Sequence, residues 1–213
     1  MFEGLHLLKN RPLTIRNLPD DPIAQFRKWY RDALDFSPLD PESAAPMALA
    51  TCSKKNQADV RFVLFKGTEN EGFVFFTDYT SKKARDFSEN SSAAVAFYWS
   101  GFRRQVRIRG IVEKLRPERS DAYFASRPRK SQAATLISKQ SAPIAFDKDL
   151  GSECNKILNK FAGKTIPRPK TWGGYLLVPH EIEFWQADKY RLNKRYLYKK
   201  IKSEKWQISR LSP

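Results

Sequence analysis

Apolar residues in this chain change their spacing along its length, and the changes mark helical and extended stretches. Ile23, Phe26, Tyr30 and Leu34 recur at helical spacing behind Asp20-Asp21-Pro22, which reads as one buried helix face closed by Ser37-Pro38. From Met47 the texture becomes short apolar runs broken by polar turns. MALATCS, VRFVLFK from Val60, GFVFFTD from Gly72 and AAVAFYWS from Ala93 predict four strands. A fifth strand, from Arg104, alternates Val106, Ile108 and Val112 against Gln105, Arg107 and Arg109. Its polar face is either solvated or part of a site.

SKKARDFSEN predicts a short helix between strands three and four, with Ser81 available as its cap. Further helices are predicted over 117–125, 131–138 and 152–161, and strands return at Gly174, Glu181, Arg195 and Lys205. The last two strands are joined by a short polar turn from Lys202 to Glu204. The sum is a mainly β chain with flanking helices, best closed as a small barrel that leaves no sheet edge exposed. Residues 1–20 are expected to be a mobile segment and 21–213 a single domain.

Composition narrows the chemistry. Cys52 and Cys154 belong to no metal-binding or disulfide pattern, and the only histidines are His6 and His180. A mechanism built on a histidine base or a histidine-rich metal site is therefore not expected, and the chain needs a cofactor for any difficult reaction. No apolar run approaches the length that crosses a bilayer, and MFEGLHLLKNRPL lacks the pattern of a secretory signal, so a cytoplasmic location is expected. The net charge of +16 concentrates anions at the surface. Nucleic acid and small phosphorylated metabolites both exploit such a field.

Two stretches carry candidate ligand chemistry. YFASRPRKSQAATLISKQS places Tyr123, Arg127, Ser131, Gln140 and Ser141 among small and basic neighbours, and Pro128 biases Arg127 towards a helix break whose following amides favour an anion. EIEFWQADKYRLNKR supplies Trp185, Arg191 and Arg195. Arg61, Lys66, Lys82 and Lys83 are four further cations that can converge where strands two and three end. Strict alternation sends Arg61 and Lys66 to opposite faces, so joint contact requires a bend, with Gly67 the candidate. A capped helix junction with surface arginines and an ordinary half-buried strand explain the same residues without a ligand.

RFVLFK, FFTDYTSKKA, RRQV, YFASRPRKSQ, SKQS, FWQADKYRLNKR and the ending KWQISRLSP, taken in order, resemble the pyridoxine (pyridoxamine) 5′-phosphate oxidase family over nearly the whole chain. The resemblance implies an FMN-binding split barrel working as a homodimer with flavin at the subunit interface. It implies flavin contacts at Arg61, Phe76, Thr77, Lys82, Lys83, Gln105, Gln140, Ser141, Trp185 and Arg195. Lys66, Tyr123, Arg127 and Ser131 look like the cradle of the substrate phosphate, and Arg191 like the catalytic residue covering the pyridine ring. The implied reaction oxidises pyridoxamine or pyridoxine 5′-phosphate to pyridoxal 5′-phosphate, with O2 as acceptor.

Three departures from the family pattern stand out. Asn193, in the substrate-binding stretch, occupies a position usually held by histidine, Phe76 one usually held by tyrosine, and Lys82 one usually held by arginine. HLLKNRPLTIR also lacks the arginine and tyrosine that close an N-terminal segment over the substrate in that family. The same fold is used by phenazine-pathway oxidases, and a non-catalytic binder of flavin or vitamin B6 phosphate, or a basic nucleic-acid protein with stacking aromatics, is the alternative of a different class. Nucleic-acid binding predicts affinity that falls steeply with salt and no retained chromophore.

Overall fold

A computed structural model describes residues 12–36, 40–201 and 205–213. Helix α1 (Pro22–Phe36) leads into strands β1 (Pro46–Cys52), β2 (Ala58–Leu64), β3 (Thr68–Glu69) and β4 (Gly72–Asp78). Then come α2 (Lys82–Glu89), β5 (Ser92–Trp99), β6 (Arg104–Lys114), α3 (Pro117–Ser126), α4 (Arg129–Ile137) and α5 (Leu150–Lys160). The chain finishes with β7 (Trp172–Gln186), β8 (Lys194–Lys200) and β9 (Trp206–Arg210). The strands form one antiparallel sheet in the order β2-β1-β5-β6-β7-β4-β3, with β8 added to β7 and β9 to β8.

Local chemistry explains the boundaries. Asp21 caps α1, its carboxylate accepting from the amides of Ile23 at 2.8 Å and Ala24 at 3.1 Å, and Pro22 opens the helix where no donor is needed. Ser81 precedes α2 as expected but does not cap it. Its hydroxyl donates back to the Asp78 carbonyl at 2.7 Å, which leaves its oxygen turned towards Lys83. Asn70 and Glu71 join β3 to β4 as a two-residue turn with both φ positive, the geometry that matches strand twist. The predicted strands at Gly174 and Glu181 are one long strand, because β6 pairs with both halves across an irregularity between Arg109 and Gly110. The predicted turn over 202–204 and the helix end at Ser37-Pro38 lie outside the described residues.

The sheet closes because the chain beyond β2 crosses to β4: the Lys66 amide donates to the Val74 carbonyl at 2.8 Å, and the Val74 amide to the Gly67 carbonyl at 2.9 Å. Gly67 takes φ +113°, which L side chains rarely adopt. Inside the barrel, Phe26 of α1 is fully buried and meets Phe73 edge-on at 4.8 Å, Phe65 at 5.3 Å and Phe97 at 5.0 Å. Each such buried ring contributes about 1.5–3 kcal/mol through its lost apolar surface. A smaller cluster of Phe124, Ala133, Ile166 and Trp172 fastens α3 and α4 to the start of β7. The chain is already packed before residue 21, since Leu13 is buried and its amide donates to Gln186 at 2.7 Å. Among the described residues no helix is long and apolar enough to cross a membrane.

Candidate active site

A cleft of about 820 Å³ opens between the β2 edge, the end of β4, the start of α2 and the α3–α4 junction. Eleven of the residues singled out in the sequence line it: Arg61, Lys66, Phe76, Thr77, Lys82, Lys83, Tyr123, Arg127, Ser131, Gln140 and Ser141. Arg61 and Lys66 both reach the cleft although strand alternation separates them. At this end of the sheet β2 is an edge, and the cleft runs along consecutive residues 61 to 64. The turn at Gly67 follows Lys66 and carries the chain across to β4.

One end of the cleft is a cationic nest. Arg61 donates from Nη1 to Thr51 Oγ1 at 2.9 Å and to the Leu49 carbonyl at 3.2 Å, and its Nη2 meets Asp59 at 2.6 Å. Lys82 lies 3.0 Å from the same Asp59 carboxylate, and hydrogen bonding from Lys82 holds that carboxyl below the usual range. Lys83 differs from both. It is buried, and its Nζ donates to Gln140 Oε1 at 3.0 Å, Thr77 Oγ1 at 3.2 Å and Ser81 Oγ at 3.4 Å, all neutral acceptors. Burial, with Arg61 nearby, pushes its pKa from 10.5 down to about 8. Asp78 and Asp59 offset part of that shift from a distance, but none of the oxygens bonded to Lys83 is charged, and a desolvated ammonium so placed favours an incoming anion. Ser141, at φ +71°, accepts from the Lys82 amide at 3.4 Å and so turns the chain over this nest.

The other end is aromatic and basic. The chain breaks between α3 and α4 at Arg127, which is extended at ψ 152°, and Pro128 precedes the first turn of α4. Tyr123 stacks on Phe76 at 3.9 Å, and Phe76 on Trp172 at 5.5 Å. The Arg127 guanidinium sits over the Trp172 ring at 4.7 Å, and burial lowers its pKa. Lys66 pairs with exposed Glu42 at 3.5 Å. Asp59, Thr135 and Trp172 also line the cleft and were not anticipated. Asp59 sits two residues before Arg61 on the same strand face, and Thr135 four after Ser131 on the same helix face, so both spacings were available in the sequence.

Five expected site residues lie elsewhere. Gln105, Trp185 and Arg195 form one row across three strands, Gln105 opposite Trp185 and Trp185 opposite Arg195. Arg195 is held at 2.8 Å by Glu183, which also pairs with Arg107 at 3.1 Å. Arg109 pairs with Glu181 at 3.1 Å, so the polar face of β6 is an ion-paired surface around a shallow depression of about 200 Å³. Arg191 follows Tyr190 in a tight turn where both residues take left-handed φ, 54° and 62°. Asn193 accepts from the Asp188 amide at 3.2 Å, and Lys194 meets the Asp188 carboxylate at 3.1 Å, which fastens that turn at its base.

The sequence profile described as pyridoxamine 5′-phosphate oxidase matches residues 41–150, and that of the pyridoxine 5′-phosphate oxidase C-terminal dimerisation region matches residues 172–213. The chain belongs to the pyridoxamine 5′-phosphate oxidase family. Among curated members, the pyridoxine/pyridoxamine 5′-phosphate oxidase of Legionella pneumophila (strain Paris) is 42% identical over 94% of this chain and 92% of its own length. The protein of that name from Burkholderia lata is 45% identical over 91% of this chain and 89% of its own. Of solved structures, PhzG from Burkholderia lata, in complex with tetrahydrophenazine-1-carboxylic acid, superposes with a TM-score of 0.84 at 27% identity, covering 95% of this chain and 98% of its own. A pyridoxamine 5′-phosphate oxidase-related, FMN-binding protein from Nostoc punctiforme shares the fold, at a TM-score of 0.71 and 17% identity over 88% of this chain and 97% of its own. The split-barrel fold expected from the sequence is thus shared with solved members of the family.

Proposed function

We propose that this protein is an FMN-dependent oxidase converting pyridoxamine or pyridoxine 5′-phosphate to pyridoxal 5′-phosphate, with O2 as acceptor and H2O2 as the second product. The observation that carries the reading is one cleft lined by five cations in separate settings: Arg61, Lys82 and Lys83 gathered around Asp59 and Gln140, Arg127 over Trp172, and Lys66 on the same lining. Two phosphorylated ring compounds match those settings. Buried Lys83, surrounded by neutral acceptors, and Arg127, with no carboxylate within ion-pair distance among the described residues, are the groups whose burial a phosphate dianion would offset.

FMN, when bound, supplies two-electron oxidation of a carbon–hydrogen bond and reaction with oxygen. The side chains would bind, orient and exclude water. Arg61, Lys82, Lys83, Thr77, Gln140 and Ser141 would hold the flavin phosphate and its polar tail. Lys66, Tyr123, Arg127 and Ser131 would fix the substrate phosphate, remote binding that positions the reacting carbon. Gln105, Trp185, Arg191, Asn193 and Arg195 lie outside the cleft of one chain, and a second copy in a homodimer would supply them across the interface. The matched C-terminal dimerisation region supports that arrangement.

A second reading has its own support, because PhzG resembles this chain along nearly its full length. It would make the substrate a tricyclic carboxylate without a phosphate. Arg127 and Lys66 argue for the phosphate ester, since a cradle of two cations, a tyrosine and a serine is more than a single carboxylate needs. Purified protein carrying FMN, given pyridoxamine 5′-phosphate in air, should produce peroxide and an aldehyde absorbing as pyridoxal phosphate. Bound flavin with no turnover favours the second reading. Protein that neither carries nor accepts FMN rules out both.

A further inference from the structure

Arg127 is placed by two residues of the cleft wall, Thr135 and Trp172. Its Nη1 donates to Thr135 Oγ1 at 2.8 Å, and the Thr135 hydroxyl donates in turn to the Ser131 carbonyl at 2.9 Å. That second bond fixes the hydroxyl proton away from the arginine, so the oxygen presents a lone pair to the guanidinium. On its flat side, Arg127 lies over Trp172 at 4.7 Å. Trp172 cannot swing away, because it is buried, stacked on Phe76 at 5.5 Å and met edge-on by Phe124 at 5.5 Å. No carboxylate holds Arg127 among the described residues. A carboxylate would neutralise the cation, whereas a hydroxyl and a ring face fix its plane and leave its charge for a ligand.

We infer that Thr135 and Trp172 are positioning residues that preorganise Arg127 for a phosphate monoester. The inference rests on the function proposed above. The pair sets the discrimination between phosphorylated and unphosphorylated substrates, because a guanidinium already fixed in plane loses little freedom when it forms two parallel bonds to phosphate oxygens.

The test uses the FMN-loaded protein, with pyridoxine 5′-phosphate as substrate and inorganic phosphate as competing probe. Thr135→Val keeps the shape of the side chain and deletes the hydroxyl. It should raise both KM and the phosphate inhibition constant about tenfold, with kcat and FMN affinity within about twofold of wild type. Thr135→Ser should restore both constants, and Trp172→Phe should retain more phosphate affinity than Trp172→Leu. If Trp172→Leu does not fold, the threonine pair decides alone. Unchanged constants in Thr135→Val, failure of serine to rescue, or an equal fall in kcat and flavin affinity each overturn the inference. A wild-type enzyme that neither oxidises the phosphate ester nor responds to phosphate overturns the proposed function instead, and the two failures are told apart by the wild type alone.

Discussion

The Lys83 ammonium donates to the side-chain oxygen of Gln140 at 3.0 Å across 57 residues of sequence, and Thr77 donates to the same oxygen at 2.7 Å. One amide oxygen thus receives a buried cation and a hydroxyl, joining α2, β4 and the segment after α4 at the cationic end of the cleft. Nothing in this triangle carries a negative charge. The cost of burying Lys83 is therefore met by hydrogen bonds to neutral groups and by the more distant Asp78 and Asp59 carboxylates, and only in part, since its pKa still falls to about 8.

Replacing Lys83 with methionine should trade binding for stability. With a native pKa of about 8 against 10.5 in the unfolded chain, the buried ammonium costs on the order of 3 kcal/mol below pH 8. Between those two values the unfolded chain holds a proton that the native one has released, so Lys83 adds stability to the flavin-free protein as pH rises through that window, on top of the opposite trend that buried Tyr175 and Tyr198 impose above pH 10. Lys83→Met should be more stable than wild type at pH 7, lack that contribution, and bind FMN at least tenfold more weakly. Denaturant melts across pH 7 to 10.5 check the sign. A variant less stable than wild type at pH 7 removes the argument.

Arg191→Ala should separate flavin binding from turnover. Tyr190 and Arg191 both hold left-handed backbone, which costs about 1 kcal/mol or more per non-glycine residue, and Asn193 with the Asp188–Lys194 pair closes the turn beneath them. Strain kept by such a clasp points to a residue that must stand in a fixed direction. Flavin should remain bound to Arg191→Ala while oxidation of pyridoxamine 5′-phosphate falls about a hundredfold. Equilibrium dialysis of FMN and a peroxide assay report the two quantities separately, and unchanged turnover removes the role.

Much of this arrangement was legible in residue order. The short apolar runs at Met47, Val60, Gly72 and Ala93 and the alternating run at Arg104 each became a strand, because each had apolar surface to bury against the sheet's core. Pro128 marked the break at Arg127, since proline crowds the helical conformation of the residue before it. The Ser81 cap was misread: its hydroxyl had a closer carbonyl at Asp78, a competition that spacing does not reveal. The single long β7 was read as two strands because Pro179 looks like an end, whereas β6 continues the pairing past it. The stacking of Arg127 on Trp172 joins residues 45 apart, and only the packing of α3 and α4 on β7 creates it.

Gly110 should not accept a side chain. It sits where β6 changes register against β7, and a Cβ there would run into the backbone carbonyl of Val178, which cannot rotate away as a side chain could. Gly110→Ala should cost about 2–4 kcal/mol and lower the melting temperature by several degrees, through displaced backbone on the longest strand pair. Gly163 has open space around its Cβ position, so Gly163→Ala should be milder, limited to the strain of its φ of +68°. Equal losses at the two positions would contradict the bulge geometry.

The split of the expected site between the cleft and the Gln105–Trp185–Arg195 row makes a prediction about subunits. If each flavin is held by the cleft of one copy and the row of another, then Lys83→Met and Arg195→Ala damage different halves of the same site. A dimer carrying one variant on each chain has one site with both defects and one with neither. Each variant alone should be weak in oxidation, and co-expressing them with distinct tags should recover activity, approaching about a quarter of wild type when the chains assort at random. The recovered activity should follow the doubly tagged fraction through purification. Recovery is forbidden if one chain builds a whole site, because every site in the mixture would then carry one of the two substitutions. Glu183 sharpens the test: it holds Arg195 at 2.8 Å, so Glu183→Gln removes the carboxylate that pairs with the guanidinium while the Ser212 carbonyl still accepts from it at 3.0 Å, and should leave flavin binding closer to wild type than Arg195→Ala does.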